Sequence, residues 1–324
     1  MKLPPRQTIA HTPTPLEFLP HLTEHLGGPE IWVKRDDLTG LTMGGNKIRK
    51  LEFFVADALK QQADTLITTG AIQSNHCRQT AAVAAKAGLA CVLVLTDHRP
   101  EHLSANNFLD TLLGAEIIWA GDENRESALQ SAFNAAQSGG MSPYLVPYGG
   151  SNALGACAYL HAMGELAEQD EHPFDWIVLA SSSGGTQAGM ELGKRHANLA
   201  TRILGISVDL PANQLSNSVS SIANDCAESY ELSIQITPNE IEISDAYLGA
   251  GYAQMGEPEI EAIRLFAREE SLLVDPVYTG RAAAGMIDLI RKGEIKPGER
   301  VLFWHTGGTP ALFAPNYLEA LSRN

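Results

Sequence analysis

Only four cysteines occur in the 324 residues, and Cys77, Cys91, Cys157 and Cys226 stand far apart with no CxxC pair. That spacing argues against both a disulfide framework and a zinc knuckle. Ten histidines include no HExxH and no clustered pair at ligand spacing, so no metal is expected. No apolar run approaches the length of a membrane span, and the opening MKLPPRQT lacks the apolar core of a signal peptide. The expectation is a cytoplasmic protein with no membrane partner. Basic residues are also scarce, 23 Lys and Arg against 38 Asp and Glu, for a formal charge of −15. Nucleic acid is disfavoured as a partner, because a phosphate backbone needs a basic face. A small anion is still admissible where the site is locally positive.

What is present is an ordinary globular composition, 44% hydrophobic and 19% charged, in a chain long enough for two lobes. Prolines keep His11 to Leu16 extended. Leu16, Leu19 and Leu22 predict a helix over Glu17 to His25, and Ile31 to Val33 a strand ending in Lys34-Arg35-Asp36-Asp37. A helix is read from Lys50 to Lys60, a buried strand from Asp64 to Thr69 and an alanine-rich helix from Cys77 to Lys86. Strands follow at Leu89 to Leu95, Ala115 to Trp119, Pro143 to Pro147, Phe174 to Ala180, Ile203 to Val208 and Val301 to Trp304. Between several of them lie helical stretches (103–113, 123–136 and the run to Arg195, with 257–269 further on). The region from Val208 to Glu242 is less readable. Alternating strands and helices predict an α/β fold of two open, twisted, mostly parallel sheets flanked by helices.

The chemistry concentrates at glycine-rich or polar junctions between strand and helix, where ligands bind in open α/β sheets. Gly44-Gly45-Asn46-Lys47 lets the backbone turn sharply and approach a bound group. Burial, with Arg49 and Lys50 nearby, would lower the pKa of Lys47 and make it a nucleophile towards aldehydes. Gln73-Ser74-Asn75-His76 opens the next helix. Ser74 and Asn75 also suit an N-cap, but a cap needs one such residue and four polar side chains cluster here. Gly149-Gly150-Ser151-Asn152 is read as a site-lining loop, with a plain turn as the competing reading. Ser181 to Gly189 combines hydroxyls, glycines and a helix start, the arrangement that holds phosphate. It is neither a Walker loop nor a complete GxGxxG. A nicotinamide fold is disfavoured, because no acidic residue stands where a ribose would be read.

Taken together, GGNKIRKLEF, QSNHCRQTAA, GGSNALGA, SGGTQAG, DPVYTG and HTGG resemble the ACC deaminase / D-cysteine desulfhydrase family. The likeness runs from about Pro13 to Phe313. It implies the pyridoxal-phosphate (PLP) fold type II, tryptophan-synthase-β-like. Residues 1–46 plus 156–324 would form a large cofactor-binding domain, and 47–155 a smaller inserted α/β domain. By the same resemblance, Lys47 carries the cofactor covalently and Asn75 bonds its 3′-oxygen. Ser183, Gly184, Gly185 and Thr186 cradle the phosphate with Lys50, Thr279 meets the pyridine nitrogen, and Thr306 joins the cofactor site. Ser74, Asn75, His76, Tyr252 and Tyr278 would face a small amino-acid substrate. The catalytic set would be Lys47, Ser74, Tyr278 and Tyr252, the α-proton being taken by Lys47, Ser74 or Tyr278. For Tyr252, whose following residues depart from the usual Gly-x-Pro, a core tyrosine is the competing reading. The family is usually a homodimer.

ACC deaminases resemble DPVYEG, HLGG and QSNQ where this chain has Thr279, Thr306 and His76. A threonine at the ring nitrogen supports its protonation less than a carboxylate does, which suits expulsion of a good leaving group rather than cyclopropane opening. D-Cysteine desulfhydrase is therefore the expected activity, a PLP-dependent carbon–sulfur lyase. L-Cysteate sulfo-lyase, which shares HTGG and QSNH, is the alternative, followed by ACC deaminase and a non-catalytic PLP-binding protein.

Overall fold

Strands rich in Val, Ile and Leu need cover on both faces, and the chain supplies it with helices. The computed structural model describes residues 4–323. Ten strands are found there: β1 (Leu16–Phe18), β2 (Glu30–Arg35), β3 (Thr65–Ala71), β4 (Ala90–Thr96), β5 (Glu116–Trp119), β6 (Pro143–Leu145), β7 (Trp176–Ser181), β8 (Arg202–Ser207), β9 (Glu242–Ser244) and β10 (Arg300–His305). They form a six-stranded sheet in the order β1-β2-β10-β7-β8-β9 and a four-stranded sheet in the order β5-β4-β3-β6. Every pairing is parallel except β1 with β2. The two open, mostly parallel sheets are those the sequence pattern predicts.

Eleven helices connect them: α1 (Pro20–Leu26), α2 (Asn46–Lys60), α3 (Asn75–Ala87), α4 (Ala105–Leu112), α5 (Arg125–Ser138), α6 (Ala153–Gln169), α7 (Gly185–His196), α8 (Ala212–Ser229), α9 (Glu257–Glu270), α10 (Thr279–Arg291) and α11 (Pro315–Ser322). Alternation along β10 shows how the larger sheet is filled. Leu302 and Trp304 pack towards α6, α7 and α8, whereas Val301 and Phe303 pack towards α9 and α10. In the smaller sheet, Leu93 and Leu95 of β4 join residues of α2 and α3, while Val92 and Val94 meet alanines of α5. Helix α2 serves both cores, with Phe53 in the α6 cluster and Ile48, Leu51 and Phe54 in the α3 cluster. Each such fully buried side chain contributes roughly 1.5–3 kcal/mol, so α2 is held firmly from two sides.

Three expectations change. Leu16 to Phe18 is a strand, pairing with Trp32 to Lys34, and the helix begins only at Pro20, whose ring suits a first helical position. Helix α2 starts at Asn46 rather than Lys50, so Lys47 lies in its first turn. The poorly readable region holds α8, which buries Leu215, Val219, Ala223 and Cys226 at helical spacing among serines and asparagines.

Candidate active site

The carboxyl ends of β3, β7 and β10 converge on an open cleft enclosing about 670 Å³, solvent included. Its wall is built from Asn46 and Lys47, Ser74 to His76, Tyr148 and Gly149, Ala180 to Gly184, Thr186, Tyr252, Tyr278, and Thr306 with Gly307. Of the residues expected at the site, Lys47, Ser74, Asn75, His76, Ser183, Gly184, Thr186, Tyr252, Tyr278 and Thr306 are brought together here. Tyr148 was missed. It lies three residues beyond the carboxyl end of β6, close to the positional signal that marked its neighbours.

Lys47 is positioned by an unusual turn. Leu41, Thr42, Met43, Gly44 and Gly45 all have positive φ, from 35° to 126°. Left-handed backbone costs a non-glycine residue roughly 1–2 kcal/mol, so the turn needs support. The guanidinium of Arg78 donates to the carbonyls of Thr42 and Gly44 from below. Glycine is required at 44, where a Cβ would lie 1.9 Å from the Asp37 carbonyl oxygen. Beyond the turn, Lys47 donates to the Gly149 carbonyl at 3.1 Å. Burial brings its pKa down to about 8.

Lys34 and Asp36 are fully buried. The Lys34-Arg35-Asp36-Asp37 run is therefore no solvated strand end. Asp36 Oδ1 accepts from Arg49, and Oδ2 from Tyr159 at 2.5 Å and Trp304 at 2.8 Å. Glu165 pairs with both Lys34 (2.6 Å) and Arg49 (2.8 Å). This network ties β2, α2, α6 and β10 together directly behind Lys47. The role of the segment here is structural.

Ser74 caps its helix and also lines the cleft. Its Oγ caps α3 by accepting from Cys77 N at 3.1 Å, which leaves the hydroxyl hydrogen for the cleft. Asn75 Oδ1 accepts from Asn106 Nδ2, so the Asn75 amide N–H₂ is left for an acceptor. Tyr252 and Tyr278 stand edge to face with hydroxyls 2.6 Å apart. Burial pushes both phenols well above their ordinary pKa. Tyr278 thus stays protonated near neutrality and can donate a proton.

Three expected residues do not line the cleft. Gly185 lies behind it, its N–H donating to Ser151 Oγ at 3.2 Å as α7 begins. Thr279 is fully buried, donates to Asp275 Oδ1 at 2.8 Å and accepts from Asp275 N at 2.7 Å, which leaves one lone pair of its hydroxyl over. Lys50 is also fully buried, behind Gly149, with only the Gly149 carbonyl and Ser151 Oγ as partners among the described residues.

Lys47 and Lys50 have no carboxylate partner among the described residues, and burial with mutual repulsion pushes Lys50 well below its ordinary pKa. Buried cations are costly unless matched by an anion. The start of α7 beside them, with Ser183, Gly184 and Thr186, adds the positive end of a helix dipole. At Gly149 (φ 64°) a Cβ would meet Ser183 Oγ at 2.4 Å and lie 3.5 Å from Lys47 Nζ, so a side chain would fill the space between amine and hydroxyl. The site is made for an anion with a carbonyl-reactive lysine next to it. No helix among the described residues is long and apolar enough to cross a membrane, and no group of three His, Cys, Asp or Glu could hold a metal.

A profile of the pyridoxal-phosphate dependent enzymes matches residues 8–307. A solved structure described as an ACC deaminase homologue is 37% identical, with a TM-score of 0.90 over 98% of this chain and 95% of the other. An L-serine ammonia-lyase from the fungus Rhizomucor miehei is 19% identical (TM-score 0.70, 98% and 99% covered). A threonine deaminase isoform from Solanum lycopersicum is 15% identical (TM-score 0.67, 97% and 88% covered). The last two share the fold, the tryptophan-synthase-β type. PLP, a phosphate-bearing aldehyde, answers both demands of the cleft. The chain belongs to the family of pyridoxal-phosphate dependent enzymes.

Proposed function

We propose that the protein is a carbon–sulfur lyase, converting D-cysteine and water to pyruvate, hydrogen sulfide and ammonia. The observation that carries this reading is the charge of the cleft wall. Lys47 is its only cationic side chain among the described residues, and no arginine lines it. Lys50 and the start of α7 are taken up by the cofactor phosphate, and the start of α3 with Ser74 by the substrate carboxylate. Among the described residues no cationic side chain of the cleft wall is left for a second anionic group, and the Arg125 guanidinium is stacked on the Tyr148 ring, 4.2 Å from its centroid. A neutral thiol is accommodated, whereas the sulfonate of L-cysteate would face uncharged side chains. The threonine at position 279, in place of a carboxylate, continues to argue against cyclopropane opening.

When bound, PLP supplies an electron sink for negative charge developing at the substrate α-carbon. Lys47 is its attachment point in this reading, and the Lys47 amine carries the α-proton, helped by a pKa near 8. Asn75 Nδ2 holds the cofactor oxygen and Ser183, Gly184 and Thr186 its phosphate. The Ser74 hydroxyl orients the carboxylate. In the Tyr252–Tyr278 pair one hydroxyl hydrogen bridges the two oxygens and the other is free to protonate departing sulfide. The assembly implied by the resemblance, a homodimer, is checked by sedimentation of the loaded protein.

The test offers D-cysteine, L-cysteine, L-cysteate and ACC separately to PLP-loaded protein. Sulfide and pyruvate are expected from D-cysteine alone. Sulfite from L-cysteate would move the assignment to a sulfo-lyase, and 2-oxobutyrate from ACC to a deaminase. No product from any of them, with cofactor bound, would leave a non-catalytic protein.

A further inference from the structure

Asn106 lies in the first turn of α4, is fully buried and does not line the cleft. Its Nδ2 is 3.0 Å from the backbone carbonyl oxygen of Gln73 and 3.0 Å from Asn75 Oδ1. A carbonyl oxygen only accepts, so the Asn106 amide must face Gln73 with its nitrogen. The second hydrogen of that nitrogen then points at Asn75, which has to answer with its oxygen. One orientation is left for the Asn75 amide, with Nδ2 on the other side. Asn75 Nδ2 makes no hydrogen bond among the described residues, yet it keeps accessible surface, and Asn75 lines the cleft.

Asn106 is itself held in place. Its backbone N–H donates to Gln73 Oε1 at 2.9 Å, and Gln73 Nε2 donates to the Ser104 carbonyl at 3.2 Å. Gln73 and Asn106, 33 positions apart, thus clasp each other through main chain and side chain. Asn106 Oδ1 is buried with no donor among the described residues, a cost that the two bonds of the nitrogen have to offset. An N–H directed at the 3′-oxygen of the cofactor favours that oxygen without a proton, whereas an amide oxygen in the same place would demand one. We infer that Asn106 is a positioning residue, which holds the Asn75 oxygen so that an Asn75 N–H meets the cofactor's 3′-oxygen and keeps it unprotonated. The nearby proton is then left to the nitrogen joined to the cofactor, where it makes the attached carbon a better electrophile. This deepens the proposed function and rests on its placing of Asn75, not on its choice of substrate.

The experiment compares PLP-loaded variants at neutral pH by absorption, cofactor dissociation constant and melting temperature. A long-wavelength band marks bound cofactor whose 3′-oxygen is unprotonated, and a near-ultraviolet band marks the form protonated there. Asn75→Ala sets the scale of the change. Asn106→Leu, which gives Asn75 no donor, should shift absorbance to the near-ultraviolet band and raise the dissociation constant ~10-fold, one hydrogen bond's share. Asn106→Asp keeps the size and offers Asn75 only acceptors when ionised. It should shift the bands at least as far, and it stands in if the leucine variant does not fold. Asn107→Ala is the control, because Asn107 Oδ1 accepts from Ser104 N at 2.7 Å in the same helix start and makes no hydrogen bond to Asn75. It should lower the melting temperature and leave the bands unchanged. Bands that move in Asn75→Ala but in neither Asn106 variant, or that move equally in Asn107→Ala, overturn the inference. Bands unmoved in Asn75→Ala overturn it together with the placing of Asn75. If D-cysteine yields no sulfide while the Asn106 variants shift the bands, the proposed substrate falls and this inference stands.

Discussion

Lys47 and Lys50 are three residues apart on α2, one facing the cleft and the other behind Gly149. Burial places the Lys47 amine near 8 instead of 10.5. Only the neutral amine attacks an aldehyde, and a lowered pKa means that this form is present above about 8. Covalent uptake of PLP by cofactor-free protein should therefore accelerate as pH rises through about 8 and then level off. Stopped-flow absorbance gives the profile. A midpoint near 10 would show that burial is not acting on this amine.

At the scale of elements, what positions Lys47 is the buried network and the left-handed turn. Arg49 and Lys34 hold the Glu165 carboxyl at about 2, against burial, which pushes it upward. Because the folded value lies below the ordinary 4.5, the stabilisation is complete above 4.5 and is lost as pH falls towards 2. Glu165→Gln leaves Lys34 and Arg49 short of a counter-charge. It should lower stability by ~3 kcal/mol at pH 7, and urea titrations should show the gap closing between pH 4.5 and 2. Gly44→Ala sets a Cβ against the Asp37 carbonyl in left-handed backbone. It should cost about 2 kcal/mol or more and weaken cofactor uptake together with stability, which calorimetry and absorbance would show in one preparation.

The same elements show what could be read from sequence. Strand β7 and the polar start of α7 were legible, because an apolar run followed by glycines and hydroxyls has few other uses. Helix α8 was not, since Leu215, Val219 and Ala223 are diluted by serine and asparagine and the stripe emerges only against α6 and α7. The depth of Lys34 and Asp36 was also hidden. Charge implies solvent unless partners are known, and Glu165 and Trp304 arrive from 131 and 268 positions away. Thr279 illustrates a third limit. A motif names the residue, but only the fold shows its hydroxyl already shared with Asp275.

Across the whole molecule, two buried amines without a carboxylate partner among the described residues, both held below their ordinary pKa by burial, make the cofactor-free protein less stable than it need be. Anything that binds the folded state alone stabilises it, by about 2.7 kcal/mol at a hundred times its dissociation constant. Inorganic phosphate, with no aldehyde, should already raise the melting temperature of cofactor-free protein. Lys50→Met should raise it without phosphate and abolish the phosphate response. An unchanged phosphate response in that variant would place the anion elsewhere.

Strand β2 lies between β1 and β10, and its six residues pair with Arg300 to His305. A chain leaving the ribosome can finish the four-stranded sheet once Leu145 has emerged, but β2 must wait through some 150 further residues for its central neighbour. At a typical 5–20 residues per second that wait is roughly 8–30 s. For that interval the run Ile31 to Val33 is an unpaired apolar edge, and the wall of the cleft lacks Thr306. Uptake of the coenzyme should therefore follow the pairing of β10 with β2, and cofactor bound to a nascent chain would mark that β10 has arrived.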